Sequence, residues 1–260
     1  MNILFVGDLV GKPGIDSLEL FLPRLEEEYK LDFVIVNAEN VSRGIGITKQ
    51  DYQRLCDFGI DAITLGNHYR GKYEIDRYIE SADKLIRPYN LFSYNLGVGT
   101  RDFTVKNHNI NVTNLLGQAF LKESVPSPIE EYENLLKNLK EGIRIVDFHA
   151  ESTSEKAILA KYFDGKVTAV LGTHTHVQTN DDMILPNGTA FISDVGFCGS
   201  YDSVIGFNNE SVINSIVRQN GKMFVDKEVK TLMLNAVLLR IENYRCVEIK
   251  KIRLIGEKNG

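Results

Sequence analysis

Five short polar clusters each follow an apolar run: Gly7-Asp8, Asn37-Ala38-Glu39-Asn40, Gly66-Asn67-His68, Asp147-Phe148-His149 and Gly172-Thr173-His174-Thr175-His176. Four of the five histidines lie in them; the fifth, His108, sits in the polar stretch Lys106–Asn109, which reads as a hairpin tip. Carboxylate, amide oxygen and imidazole form a hard-to-borderline donor set that suits manganese, iron, zinc or magnesium and lacks the thiolates of a structural zinc site. The donors are too many for one tetrahedral ion. They suit two ions roughly 3.5–4 Å apart bridged by a carboxylate, an arrangement that holds the attacking and leaving oxygens of an in-line phosphoryl displacement.

Each member also has a blander use. Asp8 caps the turn marked by Gly11, Pro13 and Gly14; Glu39 is a solvated loop acid; Asn67-His68 makes a tight turn after Gly66; His149 is a satisfied core histidine. His174-x-His176 is the hardest to dismiss, because in an extended segment residues two apart point the same way.

The elements that must position these clusters alternate. Asn2–Val6, Phe33–Val36, Ala62–Leu65, Ile110–Leu116, Ile143–Asp147 and Val167–Leu171 read as strands. Helical periodicity spans Ser17–Tyr29, with Pro23 inside as a potential kink. Thr48–Phe58 opens on Thr48 with Asp51 placed as in a capping box, and Ser127–Leu139 also reads as helix. Beyond Thr189, Ala190–Ile192, Thr231–Ile241 and Cys246–Leu254 read as strands without intervening helices, the last two joined by a hairpin turn at 242–245. Strand–helix alternation with a strand-rich tail predicts an α/β sandwich with mixed sheets, its ligands outside the carboxyl ends of the strands.

No repeat or linker divides the 260 residues, so one domain over 1–260 is the economical reading. A net charge of −5 and a pI near 5.6 argue against tight, non-specific binding to long nucleic acids, but not against a small phosphorylated substrate held by metals. Three scattered cysteines without CxxC spacing favour reduced thiols. No stretch approaches the roughly 20 apolar residues of a membrane span, and a start that reads as a strand rather than a leader points to the cytoplasm.

The motifs resemble those of the calcineurin-like metallophosphoesterase superfamily. More narrowly, Gly7–Gly14 (GDLVGKPG), Asn37–Asn40 (NAEN) and the run from Ser193 to Gly206 resemble the YmdB-like bacterial 2′,3′-cyclic-nucleotide 2′-phosphodiesterases. Two departures from the wider superfamily, Asp8 without a histidine two residues on and Glu39 in place of the bridging aspartate, are shared by the narrower family. Tyr69-Arg70 departs from the narrow family and bears on leaving-group specificity. The resemblance implies a four-layer αββα sandwich with two mixed sheets. It further implies one metal on Asp8, Glu39, Asn40 and His176, a second on Glu39, Asn67, His149 and His174, iron or manganese as the ions with magnesium or zinc as substitutes, and a homo-oligomer.

The expected reaction is hydrolysis of a small cyclic-nucleotide phosphodiester by metal-activated hydroxide attack on phosphorus, with His68, next to the ligand Asn67, as general acid. A broad phosphomonoesterase or nucleotidase, or a metal-binding regulatory protein with little catalysis, are the rivals. Ser42-Arg43-Gly44-Ile45-Gly46 offers backbone amides and a cation to a phosphate, or is a plain turn. The 194–203 segment reads as an irregular wall of the cleft, or as structural. Cys198 reads as inert, and Lys250, Lys251 and Arg253 as a solvated face.

Overall fold

A computed structural model describes residues 1–92 and 94–258. Strand β1 (Asn2–Val6) is buried on both faces. Its alternate residues feed different cores: Leu4 and Val6 join one cluster, Ile3 and Phe5 another. A strand of this kind must be covered on both sides, and the rest of the chain supplies the cover. The first half adds β2 (Asp8–Leu9), α1 (Gly11–Tyr29), β3 (Phe33–Asn37), α2 (Lys49–Asp57), β4 (Ala62–Thr64) and β5 (Leu85–Ile86). Next come β6 (Thr100–Val105), β7 (His108–Leu116), α3 (Pro128–Leu136), β8 (Ile143–His149), α4 (Thr153–Tyr162), β9 (Ala169–Thr173), β10 (Met183–Ile184) and β11 (Ala190–Ile192). The tail holds β12 (Phe197–Ser200), α5 (Asn209–Ile216), β13 (Thr231–Glu242) and β14 (Arg245–Glu257).

Among the described residues the strands form two sheets. The first has eight strands, in the order β2-β12-β13-β1-β3-β4-β5 with β14 paired to β13; the second has six, in the order β10-β11-β9-β8-β7-β6. Both are mixed: β1-β3-β4-β5 and β7-β8-β9-β11 are parallel runs, flanked by antiparallel neighbours. Three cores separate four layers. Leu18, Leu22 and Leu25 of α1 and Leu55 of α2 meet one face of the first sheet. Ile3, Phe5, Ile145 and Leu171 fill the space between the sheets, and Phe148, Tyr132 and Leu159 lie between the second sheet and α3 and α4. This is the expected αββα sandwich.

Three local expectations change. Helix α1 starts at Gly11 rather than Ser17 and runs unbroken through Pro23, with buried Leu22 and Leu25 anchoring both sides of the proline. Helix α5 interrupts the strand-rich tail; its residues are largely β-branched or polar, but Asn208 caps it by accepting a hydrogen bond from Ser211 N. The 194–203 segment is not irregular throughout: β12 pairs with β2 and β13, and residues 194–200 are buried. Elsewhere Thr48 caps α2 as expected, and a two-residue turn at Lys106-Asn107 precedes His108. Among the described residues, no helix is long and apolar enough to cross a membrane.

Candidate metal centre

The parallel strands of both sheets end at the same edge, so their carboxyl-terminal loops meet across the seam. Asp8, Glu39, Asn40 and Asn67 come from the first sheet; His149, His174 and His176 come from the second. Asn37 ties the two together, donating through Nδ2 to Leu65 O and to Asp147 Oδ2, both at 3.0 Å, while its Oδ1 accepts the Glu39 N–H at 3.1 Å. Gly66 is required by this crowding: a Cβ there would lie 2.4 Å from both Glu39 Oε2 and His149 Cδ2.

The convergence centres on His149 Nε2, which lies 3.0 Å from Asn67 Oδ1, 3.1 Å from Glu39 Oε1 and 3.0 Å from His174 Nδ1. The hydrogen-bond network assigns the tautomers. Thr173 commits its hydroxyl hydrogen to Asp147 Oδ1 at 2.7 Å, so toward His149 Nδ1, 2.8 Å away, it can only accept. His149 therefore carries its neutral-form hydrogen on Nδ1. His174 Nε2 faces the Glu151 carboxylate at 3.2 Å, which places its hydrogen there and bares Nδ1. Four acceptors thus face one another with no donor between them. A proton or a cation reconciles them, and the donor chemistry fits a metal. Asp8 adds to the fit: it is fully buried and its Oδ1 has no hydrogen-bond partner.

His176 repeats the logic. Nδ1 donates to Ile205 O at 2.8 Å, leaving Nε2 bare at 3.3 Å from Asn40 Oδ1, and Asn40 is oriented by donating from Nδ2 to Gly44 O at 3.0 Å. Glu39, His149 and His174 bring ligand atoms within 4.8 Å of one another; His176 and Asn40 form a neighbouring pair.

Without a cation these groups perturb one another. Burial pushes the Asp8 carboxyl up. Burial also acts on Glu39 and His149, but their mutual attraction outweighs it, holding the carboxyl down and the imidazole up. His174 is pushed down to about 3 by burial and by the neighbouring His149. Mutual perturbation of this size in one cluster is characteristic of functional sites.

The extended backbone expected of His174 and His176 is not what the structure shows. Strand β9 ends at Thr173, and His174 and His176 are not extended: their φ angles are 102° and 65°. Such left-handed backbone costs on the order of 1–3 kcal/mol per residue and persists because it is tied down. Asp8 Oδ2 accepts the His174 N–H at 3.3 Å, and Asp194 Oδ2 accepts the Thr175 N–H at 2.9 Å. Asp194 is in turn paired at 3.1 Å with Lys156 of α4, both essentially fully buried.

His68 is half-buried beside this cluster, its backbone N–H donating to Glu39 Oε2 at 2.9 Å. Arg70 is engaged elsewhere, paired with Asp76 and lying over the rings of Tyr73 and Tyr94. The residues that orient the histidines were not singled out from sequence: Thr173, Asp147, Glu151, Lys156 and Asp194. For two there was a signal. Asp147 stands two residues before His149 on one strand, and Thr173 ends the apolar run just before His174; the register pairs it with His149. Burial pushes the Cys198 thiol up, as expected of an inert cysteine, and all three cysteines are free.

The profile of the YmdB-like protein family matches residues 4–252. The chain belongs to that family. It is 40% identical over 255 residues to the 2′,3′-cyclic-nucleotide 2′-phosphodiesterase of Bacillus subtilis, covering 97% of this chain and 96% of the relative. A crystal structure of a novel phosphatase from Mycoplasma pneumoniae superposes with a TM-score of 0.91 at 36% identity, over 100% of this chain and 94% of that one. A wider likeness, to the calcineurin-like phosphoesterase YfkN of Bacillus subtilis, has a TM-score of 0.54 at 14% identity over 97% and 90% of the two chains, and establishes the shared fold. The YmdB-like family thus sits on the calcineurin-like phosphoesterase fold, as the motifs implied.

Proposed function

We propose that this chain is a dinuclear-metal phosphodiesterase, a single domain acting in the cytoplasm, that hydrolyses 2′,3′-cyclic nucleotides. The observation that carries the reading is the set of bare acceptors around His149 Nε2 in a chain of the YmdB-like family. Glu39 would be held in common by the two ions, with Asp8, Asn40 and His176 holding one and Asn67, His149 and His174 the other. Iron or manganese would suit the pair, and magnesium or zinc the same donors. When bound, the ions supply positive charge to the phosphoryl oxygens and a water of lowered pKa.

The chain's own groups do the rest. Water adds to phosphorus and gives up one proton, the P–O2′ bond breaks, and O2′ takes up one proton, so the net change is one water consumed and a nucleoside 3′-phosphate formed. His68 supplies that proton from its ring, held beside the centre by the bond from its backbone to Glu39. Thr173, Glu151 and Ile205 O keep the three liganding imidazoles in the tautomer that presents a lone pair.

Metal analysis of the purified protein is expected to find about two ions per chain. Turnover should be confined to 2′,3′-cyclic nucleotides in a panel with 3′,5′-cyclic nucleotides and phosphomonoesters, and chelation should abolish it. A single ion per chain would sink the dinuclear reading, and preference for the monoester would make the protein a nucleotidase. Thr173→Val keeps the shape but removes the hydroxyl that fixes His149, and is expected to lower metal affinity about 10- to 100-fold. Unchanged affinity by competition with a chelator would remove Thr173 from the site.

A further inference from the structure

A cavity of about 510 Å³ lies against the outer side of the loops that carry the first sheet's site residues. Each loop contributes a site residue and, a few positions later, a cation lining the cavity: Asp8 then Lys12, Asn40 then Arg43, Asn67 then Lys72. The loops are in direct contact. Gly11 N donates to Asn40 O at 3.0 Å, and a Cβ on Gly71 would lie 2.8 Å from Gly46 N. Cavity and centre are therefore two sides of one loop cluster.

Five cations line the cavity. Lys12 is shared between Asp16 and Glu228, and a further lining cation, Arg54, pairs with Glu19 and Asp16. Arg43, Lys72 and Lys227 form no ion pair among the described residues. The two acids on the wall are occupied by neutral donors: Asp51 accepts from the hydroxyls of Ser42 and Thr48, and Asp226 from Asn208 Nδ2 at 2.9 Å. Burial and the adjacent Arg43 guanidinium hold the Lys72 ammonium below its ordinary pKa, against the opposing pull of Asp51 and Glu74. Ile15, Val41 and Val225 add an apolar wall against which the carbons of a ribose can lie.

We infer that this cavity is a second phosphate subsite, and that the preferred substrate is a short oligoribonucleotide ending in a 2′,3′-cyclic phosphate rather than the free cyclic mononucleotide. The assignment rests on the phosphodiesterase reading above. A cyclic phosphate at the centre leaves one other anion close by in an RNA chain, the phosphodiester on the 5′ side of the terminal ribose. An arginine and lysines without carboxylate partners are suited to hold it. Such ends arise when a ribose 2′-hydroxyl attacks its own 3′-phosphodiester, so the reaction that supplies this substrate is RNA cleavage by internal transesterification. Opening the P–O2′ bond with water then leaves a 3′-phosphorylated end.

The test compares kcat/KM of the metal-loaded protein on 2′,3′-cyclic AMP and on triadenylate ending in a 2′,3′-cyclic phosphate. The wild-type chain is expected to favour the trimer by about tenfold or more, the scale of one or two charge-assisted hydrogen bonds, and that preference should weaken with salt. Arg43→Ala, at an exposed turn, and Lys72→Glu are expected to erase the preference while leaving turnover of the cyclic mononucleotide within about twofold of wild type. Equal efficiency on both substrates, or variants that lower both rates alike, would overturn the subsite alone. Turnover of neither by the wild-type chain would overturn the phosphodiesterase reading and this assignment with it.

Discussion

His68→Ala is expected to lower kcat on a 2′,3′-cyclic nucleotide by about 10²- to 10⁴-fold with metal content unchanged, the range typical of a lost general acid. The separation of the two effects follows from what the residue touches. Its attachment to the centre is through the backbone, whose N–H donates to Glu39 Oε2 at 2.9 Å, and alanine keeps that bond. The ring itself is half-buried at the edge of the cluster. His149→Ala should behave in the opposite way. It removes the atom around which Glu39, Asn67 and His174 converge, so metal and turnover are expected to fall together. Elemental analysis beside single-turnover rates distinguishes the two. A His68→Ala protein that loses its metal but keeps its rate per bound ion would refute the acid role.

Lys156→Met is expected to destabilise the protein by about 3–5 kcal/mol, because it leaves the Asp194 carboxylate buried without its counter-charge. For a chain of this size that lowers Tm by roughly 10 °C. The pair is about as buried as a pair can be, with side-chain exposures of 0% and 1%. The second consequence is local. Asp194 holds the Thr175 N–H at 2.9 Å, between two histidines kept at φ 102° and 65°, and also accepts the Gly196 N–H at 2.8 Å. If that anchor loosens, strained backbone relaxes and the two imidazoles lose their aim, so metal affinity should fall along with stability. The double variant Lys156→Met/Asp194→Asn removes the unpaired charge and is expected to regain part of the stability. Because it keeps only one carbonyl oxygen for two N–H groups, it should regain less of the affinity. Calorimetry with a chelator-competition titration reads both; unchanged stability in Lys156→Met would mean that the pair contributes nothing net.

Much of this was legible in the chain itself. The strand-end clusters carry chemistry-bearing residues because parallel strands deliver their carboxyl ends to one edge, and that rule needs only the order of apolar runs. That rule puts Asp8, Glu39, Asn67, His149, His174 and His176 at one edge, with His68 beside them, whereas Asn40 as a donor rests on the family resemblance. The misreadings have local causes. Pro23 reads as a potential break because the burial of Leu22 and Leu25 that holds α1 together is a tertiary property. The helix at Asn209–Ile216 is not legible along the chain because its only apolar residues, Val212, Ile213 and Ile216, are β-branched and the other five are Asn, Ser or Glu.

The sequence by itself determined the donor types, the order of the strands that carry them and the family to which the chain belongs. Apolar periodicity and short motifs are properties of neighbouring residues, and neighbouring residues are what a sequence displays. The tertiary structure alone decided how those donors are aimed. The Asp147–Thr173–His149 relay joins two strands through their register. The Lys156–Asp194 pair joins a helix to a loop 38 residues away. The gathering of Arg43, Lys72 and Lys227 around one cavity brings together cations that stand far apart along the chain. Each depends on which groups lose water together, and that is fixed only when the two sheets close on one another.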